Sequence, residues 1–172
     1  MSANPKVLVL MGSDSDWDVM VEAKKALDEL AIPSEIHVSS AHRTPERTGK
    51  LAREAAGRGI QVVICGAGSA AHLAGVVAAE TELPVLGVPL AASDLKGLDA
   101  LLATAQMPGG VPVGTLAIGK AGARNAGLLA ARIIARADPE VAARVRAQRE
   151  RMAREVEAKD AALQQRLSGG GQ

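Results

Sequence analysis

A histidine and an arginine stand side by side as His42 and Arg43, in the run Ser39-Ser40-Ala41-His42-Arg43-Thr44-Pro45 between a strand-like segment and a helix. An imidazole exchanges one proton near neutral pH, and a planar guanidinium grips a phosphate or carboxylate through paired hydrogen bonds that lysine cannot imitate. An anion held there favours the imidazolium, so the pair suits proton donation to an anionic substrate. The competing reading is an incidental loop histidine, and the position at a strand's carboxyl end beside Arg43 weighs against it. A second turn, Gly12-Ser13-Asp14-Ser15-Asp16-Trp17, follows an earlier strand-like run. Backbone N–H groups at a glycine turn that opens a helix attract an anion, and Ser13 and Ser15 can donate to its oxygens. The Asp16 carboxylate repels phosphate and suits ribose hydroxyls, although Ser13 or Asp16 could equally do no more than cap the helix. Gly66-Ala67-Gly68-Ser69-Ala70-Ala71-His72 is a third turn of the same kind. His72 suits a supporting place there, whereas His37 lies inside a strand without chemical company.

Other chemistries find little footing. There is no complete Gly-x-Gly-x-x-Gly after the first strand and no phosphate-binding Gly-x-x-x-x-Gly-Lys-Ser/Thr run, which disfavours dinucleotides and nucleoside triphosphates. No Gly-x-Ser-x-Gly elbow supports acyl transfer by serine. Three histidines and one cysteine show none of the usual short metal-ligand spacings. One Trp, no Phe and no Tyr leave nothing to sandwich a flavin or stack nucleic-acid bases, and a net charge of +1 carries no polyanion footprint. Cys65 ends the apolar run Gln61-Val62-Val63-Ile64-Cys65, where a buried small hydrophobe is expected rather than a nucleophile. With a single cysteine, no intrachain disulfide is possible. That fact, with no signal-like start and no membrane-length apolar stretch, points to a soluble cytoplasmic protein.

The elements that must position these turns alternate. Strand-like runs at 6–11, 35–38, 61–65, 84–88 and 113–118 are separated by helical patterns from about 16 to before Pro33, at 45–58, 70–80, 95–105 and 121–136. Such alternation with short connections predicts a doubly wound α/β fold, a parallel sheet covered by helices on both faces. Gln106-Met107-Pro108-Gly109-Gly110-Val111-Pro112 is the exception, a shaped loop near the strand ends. The α/β domain is expected to span 1–136. Residues 137–167 predict a charged helix whose stripe Val141, Val145, Met152, Val156, Leu163 and Leu167 is spaced by four and seven residues. That helix is either solvated and laced by ion pairs or a subunit contact, and 168–172 read as a disordered tail. The alanine- and glycine-rich core suits close approach of helices to the sheet and to neighbouring subunits.

Gly12-Ser-Asp-Ser-Asp-Trp17, Ser40-Ala-His-Arg-Thr-Pro45, Gly66-Ala-Gly-Ser-Ala-Ala-His-Leu73, Pro84-Val-Leu-Gly-Val-Pro89 and Gln106-Met-Pro…Gly110-Val-Pro-Val-Gly-Thr-Leu-Ala-Ile-Gly119 resemble, in order, the N5-carboxyaminoimidazole ribonucleotide mutases of de novo purine biosynthesis. The resemblance spans about residues 6–136. It implies a flavodoxin-like three-layer α/β/α sandwich with a C-terminal helical extension, assembled as a homo-octamer, that moves a carboxylate from the exocyclic nitrogen of an aminoimidazole ribonucleotide to ring carbon C4. It implies no metal and no organic cofactor. It makes His42 the catalytic residue and Ser13, Asp16 and Arg43 substrate-binding residues. Ser15, Ser40, Ala70, His72 and Leu73 become candidates for the wall of a carbon dioxide pocket or for a layer supporting the site. The alternatives are the sister carboxylase, which takes free carbon dioxide, and a non-catalytic nucleotide- or flavin-binding module. A partner enzyme that makes the unstable substrate with ATP is a further expectation. The family's third turn commonly reads Gly-Ala-Gly-Gly-Ala-Ala-His-Leu-Pro-Gly, whereas this chain has Ser69 and Ala74. Serine puts a Cβ where φ is expected to be positive, and losing Pro frees a fixed φ.

Overall fold

The computed structural model describes residues 4–169. Five parallel strands form one sheet: β1 (Val7–Met11), β2 (Ser34–Val38), β3 (Val62–Gly68), β4 (Val85–Leu90) and β5 (Gly114–Thr115), in the order β2-β1-β3-β4-β5. Connecting them are α1 (Trp17–Glu29), α2 (Pro45–Ala55), α3 (Leu73–Ala78) and α4 (Leu98–Ala105); α5 (Lys120–Ile134) and α6 (Pro139–Gly169) follow the sheet. This is the doubly wound, flavodoxin-like α/β arrangement with a C-terminal helix. The alternation of side chains along β1 divides the core. Val7, Val9 and Met11 face α1, α5 and the start of α6, whereas Leu8 and Leu10 face α2 and α3. All five are buried, as a strand covered on both faces requires.

Of the element boundaries that differ from the sequence pattern, three have a visible local reason. The helix expected from residue 70 starts at Leu73, because Ser69 adopts φ +52° and Ala71 and His72 close tight turns onto the Ser69 and Ala70 carbonyls. The fourth helix starts at Leu98 rather than 95, after left-handed Lys96 and Gly97. The fifth strand shrinks to two residues. Leu116 N–H still donates to the Gly87 carbonyl and Gly119 N–H to that of Pro89, so Pro89 turns its backbone groups toward β5. Proline has no N–H to return, and the ladder cannot continue.

α1 and α5 approach backbone to backbone through Ala23, Ala26, Ala123, Ala126 and Gly127. Side chains of α6 are buried only as far as Gln148. Asp138 Oδ1 accepts from the N–H groups of Glu140 and Val141, while Oδ2 meets Lys6 Nζ at 2.8 Å. Lys6 first, then these N–H bonds, holds the Asp138 carboxyl below the ordinary carboxylate range. Arg144 Nε donates to the Leu30 carbonyl, Val141 is buried, and from Arg149 to Ser168 every residue is exposed. α6 runs on through Ser168 and Gly169, two residues further than the expected helix, so these residues are helical where the sequence suggested a disordered tail; 170–172 lie outside the described residues. Among the described residues, no helix is long and apolar enough to cross a membrane.

A Cβ on Gly127 would stand 2.7 Å from the Ala23 carbonyl oxygen and 2.9 Å from Ala26 Cβ. Gly127→Val is therefore expected to lose about 1–3 kcal/mol through overpacking, seen as a lower urea midpoint at unchanged slope.

Candidate active site

Parallel strands place the loops after β1, β2 and β3 on one edge, and the strand order makes them neighbours with β1 in the middle. They enclose a cleft of about 350 Å³ that collects Ser13, Ser15, Asp16, Ser40, His42, Arg43, Ala70 and Leu73. Of the candidate catalytic, substrate-binding and supporting residues, His72 alone does not line this cleft; it meets His42.

The β1 turn is built by its own side chains. Ser13 N–H donates to Asp16 Oδ2 at 2.9 Å, while Ser13 Oγ accepts from Ser15 N–H and lies 2.9 Å from Ser15 Oγ. These reciprocal bonds form a capping box on the single helical turn Asp14–Asp16 ahead of α1. Capping and lining the cleft thus coexist in the same residues. Half-burial lifts the Asp16 carboxyl above its ordinary range, against the opposing pull of the Ser13 and Gly12 N–H groups and of Arg43.

The β2 turn is pinned to β1. Arg43 Nη2 donates to the Gly12 carbonyl at 2.8 Å, and Arg43 N–H and Nε–H both point to Ser40 Oγ, at 3.2 and 3.4 Å. Ser40 N–H donates to Thr44 Oγ1, whose hydroxyl donates back to the Ser40 carbonyl. Under the turn, buried Ser39 and Thr48 share a 2.8 Å hydroxyl bond. Ser39, Thr44 and Thr48 were missed by sequence reasoning, although hydroxyl residues flanking a strand end and the first turn of the next helix were the available signal. Arg43 Nη1 makes no hydrogen bond to the described residues and remains open to an anion.

From the third turn, Ala67, Gly68, Ser69, Ala70 and Leu73 give a small, mostly apolar wall, completed by Ala92 after β4. That closeness depends on glycine: a Cβ on Gly66 would collide with the Met20 side chain, and one on Gly68 with Ala92 Cβ. Ala74 is buried within α3. His72 Nδ1 lies 3.0 Å from His42 Nε2, with the rings edge to face at 80°. His37 has a neighbour after all, the Glu35 carboxylate at 3.8 Å, and does not line the cleft. Cys65 is buried and its thiol is pushed well above the ordinary range by desolvation, which makes it inert. Among the described residues, no three His, Cys, Asp or Glu side chains are grouped to hold a metal ion.

Fold and cleft define a doubly wound α/β protein whose small-molecule site lies at the carboxyl ends of its central strands. The family model described as AIR carboxylase matches residues 6–155. The chain is 58% identical to the N5-carboxyaminoimidazole ribonucleotide mutase of Mycobacterium tuberculosis, over 96% of this chain and 93% of the relative. It is 53% identical to the mutase of Thermotoga maritima, over 94% and 93%. The crystal structure of Treponema denticola PurE superposes with a TM-score of 0.84 at 29% identity, covering 92% of this chain and 98% of that one. This chain belongs to the AIR carboxylase family.

Ser69 carries its Cβ at φ +52°, a region that costs an L-residue about 1–2 kcal/mol. Ser69→Gly removes that strain at a cost of about 0.4–1 kcal/mol in unfolded-chain entropy. A small net gain in stability is expected, measured as a higher midpoint of thermal unfolding.

Proposed function

We propose that this chain is the isomerase that converts N5-carboxyaminoimidazole ribonucleotide into 4-carboxy-5-aminoimidazole ribonucleotide in purine biosynthesis. The observation that carries the reading is a single imidazole, His42, in a cleft shared with Arg43, Asp16 and Ser13, in a chain this similar to named mutases. Arg43 and the Ser13 turn hold the phosphate, and Asp16 accepts from the ribose hydroxyls. His42 begins as the imidazolium and protonates the exocyclic nitrogen as its bond to the carboxylate breaks, releasing carbon dioxide inside the cleft. The C4 carbon attacks the trapped molecule, and neutral His42 removes the C4 proton to restore the aromatic ring. One residue is acid and then base, so the proton count closes over each turnover. Confinement matters because holding two reactants together can supply roughly 7–11 kcal/mol for ideal geometry. The small walls at Ala70 and Leu73 are suited to hold carbon dioxide, with Ser15 and Ser40 supporting the phosphate turns.

The reading extends to assembly and place. A homo-octamer, with α6 as a subunit contact, is supported by exposed Leu95, Leu98 and Leu102 near α4 and Met152, Val156, Leu163 and Leu167 along α6. A phosphorylated substrate fits a cytoplasmic enzyme, supplied by an ATP-dependent synthetase of the same ribonucleotide. No cofactor enters the mechanism. The description of the matching family favours a second reading, carboxylation of aminoimidazole ribonucleotide by free carbon dioxide.

Turnover of unlabelled N5-carboxyaminoimidazole ribonucleotide in labelled bicarbonate separates the two. Unlabelled product formed faster than the substrate decays is expected; heavily labelled product would make the enzyme a carboxylase. His42→Asn should keep substrate binding and lose about 10²–10⁴ in kcat, the usual weight of a general acid–base group. Stopped-flow turnover together with titration calorimetry checks it, and substantial retained turnover would remove His42 from the mechanism.

A further inference from the structure

Two of the three histidines of this chain meet in one hydrogen bond, His42 in the lining of the cleft and His72 next to it. Such a bond holds one proton between Nε2 of His42 and Nδ1 of His72, and the distance alone does not say which ring donates. The chemical cycle does. We propose that His72 is a positioning residue that keeps its Nδ1 unprotonated, so that His42 holds its Nε2–H throughout turnover and exchanges its other proton, at Nδ1, with the substrate. The inference rests on the acid–base reading of His42 given above.

As the imidazolium, His42 carries a hydrogen on both nitrogens, so its Nε2–H can only donate, and His72 Nδ1 can only accept. After the proton at Nδ1 has gone to the departing nitrogen, the Nε2–H bond to His72 is intact and the lone pair left at Nδ1 is the base for the C4 proton. Neither ring turns. With the opposite polarity, His72 would present a hydrogen to a nitrogen that must itself be protonated in the first step, and the bond would break in every cycle. The remaining protein contacts agree with this division. His42 Nδ1 makes no hydrogen bond to the described residues, and His42 lines the cleft while His72 does not. Of the other ionisable groups lining the cleft, Asp16 bonds Ser13 N–H, and Arg43 bonds the Gly12 carbonyl and Ser40 through Nη2 and Nε. Helix α3, which carries His72 at its start, adds only Leu73 to the wall. A histidine partner is thus the group that chooses the tautomer, as the hydrogen bond on the far nitrogen does for imidazoles generally.

His72→Leu keeps the bulk and removes the acceptor, whereas His72→Asn places a carbonyl oxygen about where Nδ1 stands. In the full-length enzyme, His72→Leu is expected to lower kcat roughly 10–100-fold with KM little changed, the scale on which partners that orient an imidazole act. His72→Asn is expected to recover most of that loss. In the same proteins, ¹⁵N spectra of the neutral His42 ring should show Nε2 protonated and Nδ1 bare in the native enzyme and in His72→Asn, and a mixture of tautomers in His72→Leu. Native kcat in a folded His72→Leu, equal damage in both variants, or a native His42 protonated at Nδ1 when neutral would each overturn the proposal. His42→Asn run alongside keeps the two ideas apart. Turnover surviving in that variant defeats the acid–base reading itself, whereas an inactive His42→Asn beside an unaffected His72→Leu defeats only the role of His72.

Discussion

All five strands point the same way, so the loops after them open on one edge of the sheet, and the order β2-β1-β3-β4-β5 sets β1 between the two strands that leave it in opposite directions. The chain passes from β1 to β2 on one side and returns across β1 to β3 on the other, which leaves a crevice where the connections part. Every polar group of the candidate site comes from these three loops. Residues thirty apart, His42 and His72, reach hydrogen-bond distance because their strands flank the same neighbour. Arg43 ties the turn after β2 to the turn after β1 by donating to the Gly12 carbonyl.

Packing near this edge depends on what the side chains lack. With one aromatic residue in the whole chain, the core is closed by short side chains and by backbone approaching backbone. Gly66 gives its space to the Met20 side chain beneath the first turn, Gly68 to Ala92 at the far wall, and Gly127 to the Ala23 carbonyl where α5 rests on α1. These contacts hold the third turn close to the first and leave a narrow cleft with apolar walls beside polar turns. In the proposed reaction, such walls would slow the escape of carbon dioxide while the polar side would hold the charged nucleotide. The raised proton affinity of Asp16 has the same origin, a carboxyl half removed from water in a confined turn.

Beyond the α/β unit the physics changes. The start of α6 is fastened by Lys6, Asp138 and Arg144, and the rest of the helix carries its apolar stripe in the open. A single long helix gains little from its own hydrogen bonds in water, and in proteins most helical stability comes from packing an apolar face. Leu163 and Leu167 on such a helix are exposed, as are Leu95, Leu98 and Leu102 at and just before α4.

The strand-helix alternation, the parallel sheet, and the candidate roles of His42, Arg43, Ser13 and Asp16 were legible in the residues. Apolar period and turn chemistry are local properties, and a parallel sheet leaves the loops after its strands on one edge whatever the sequence of those loops. The start of α3 at Leu73, the two-residue length of β5 and the facing of His72 onto His42 were not. Ser69 takes a positive φ beside Gly68, which packs closely on Ala92, β5 ends because Pro89 on the neighbouring strand has no N–H, and two histidines thirty residues apart meet only across β1. The sequence by itself determined the class of fold and which residues are candidates for chemistry. Tertiary structure decided which nitrogen meets which, because a hydrogen bond needs two atoms within about 3 Å and local pattern says nothing of distances between separate strands.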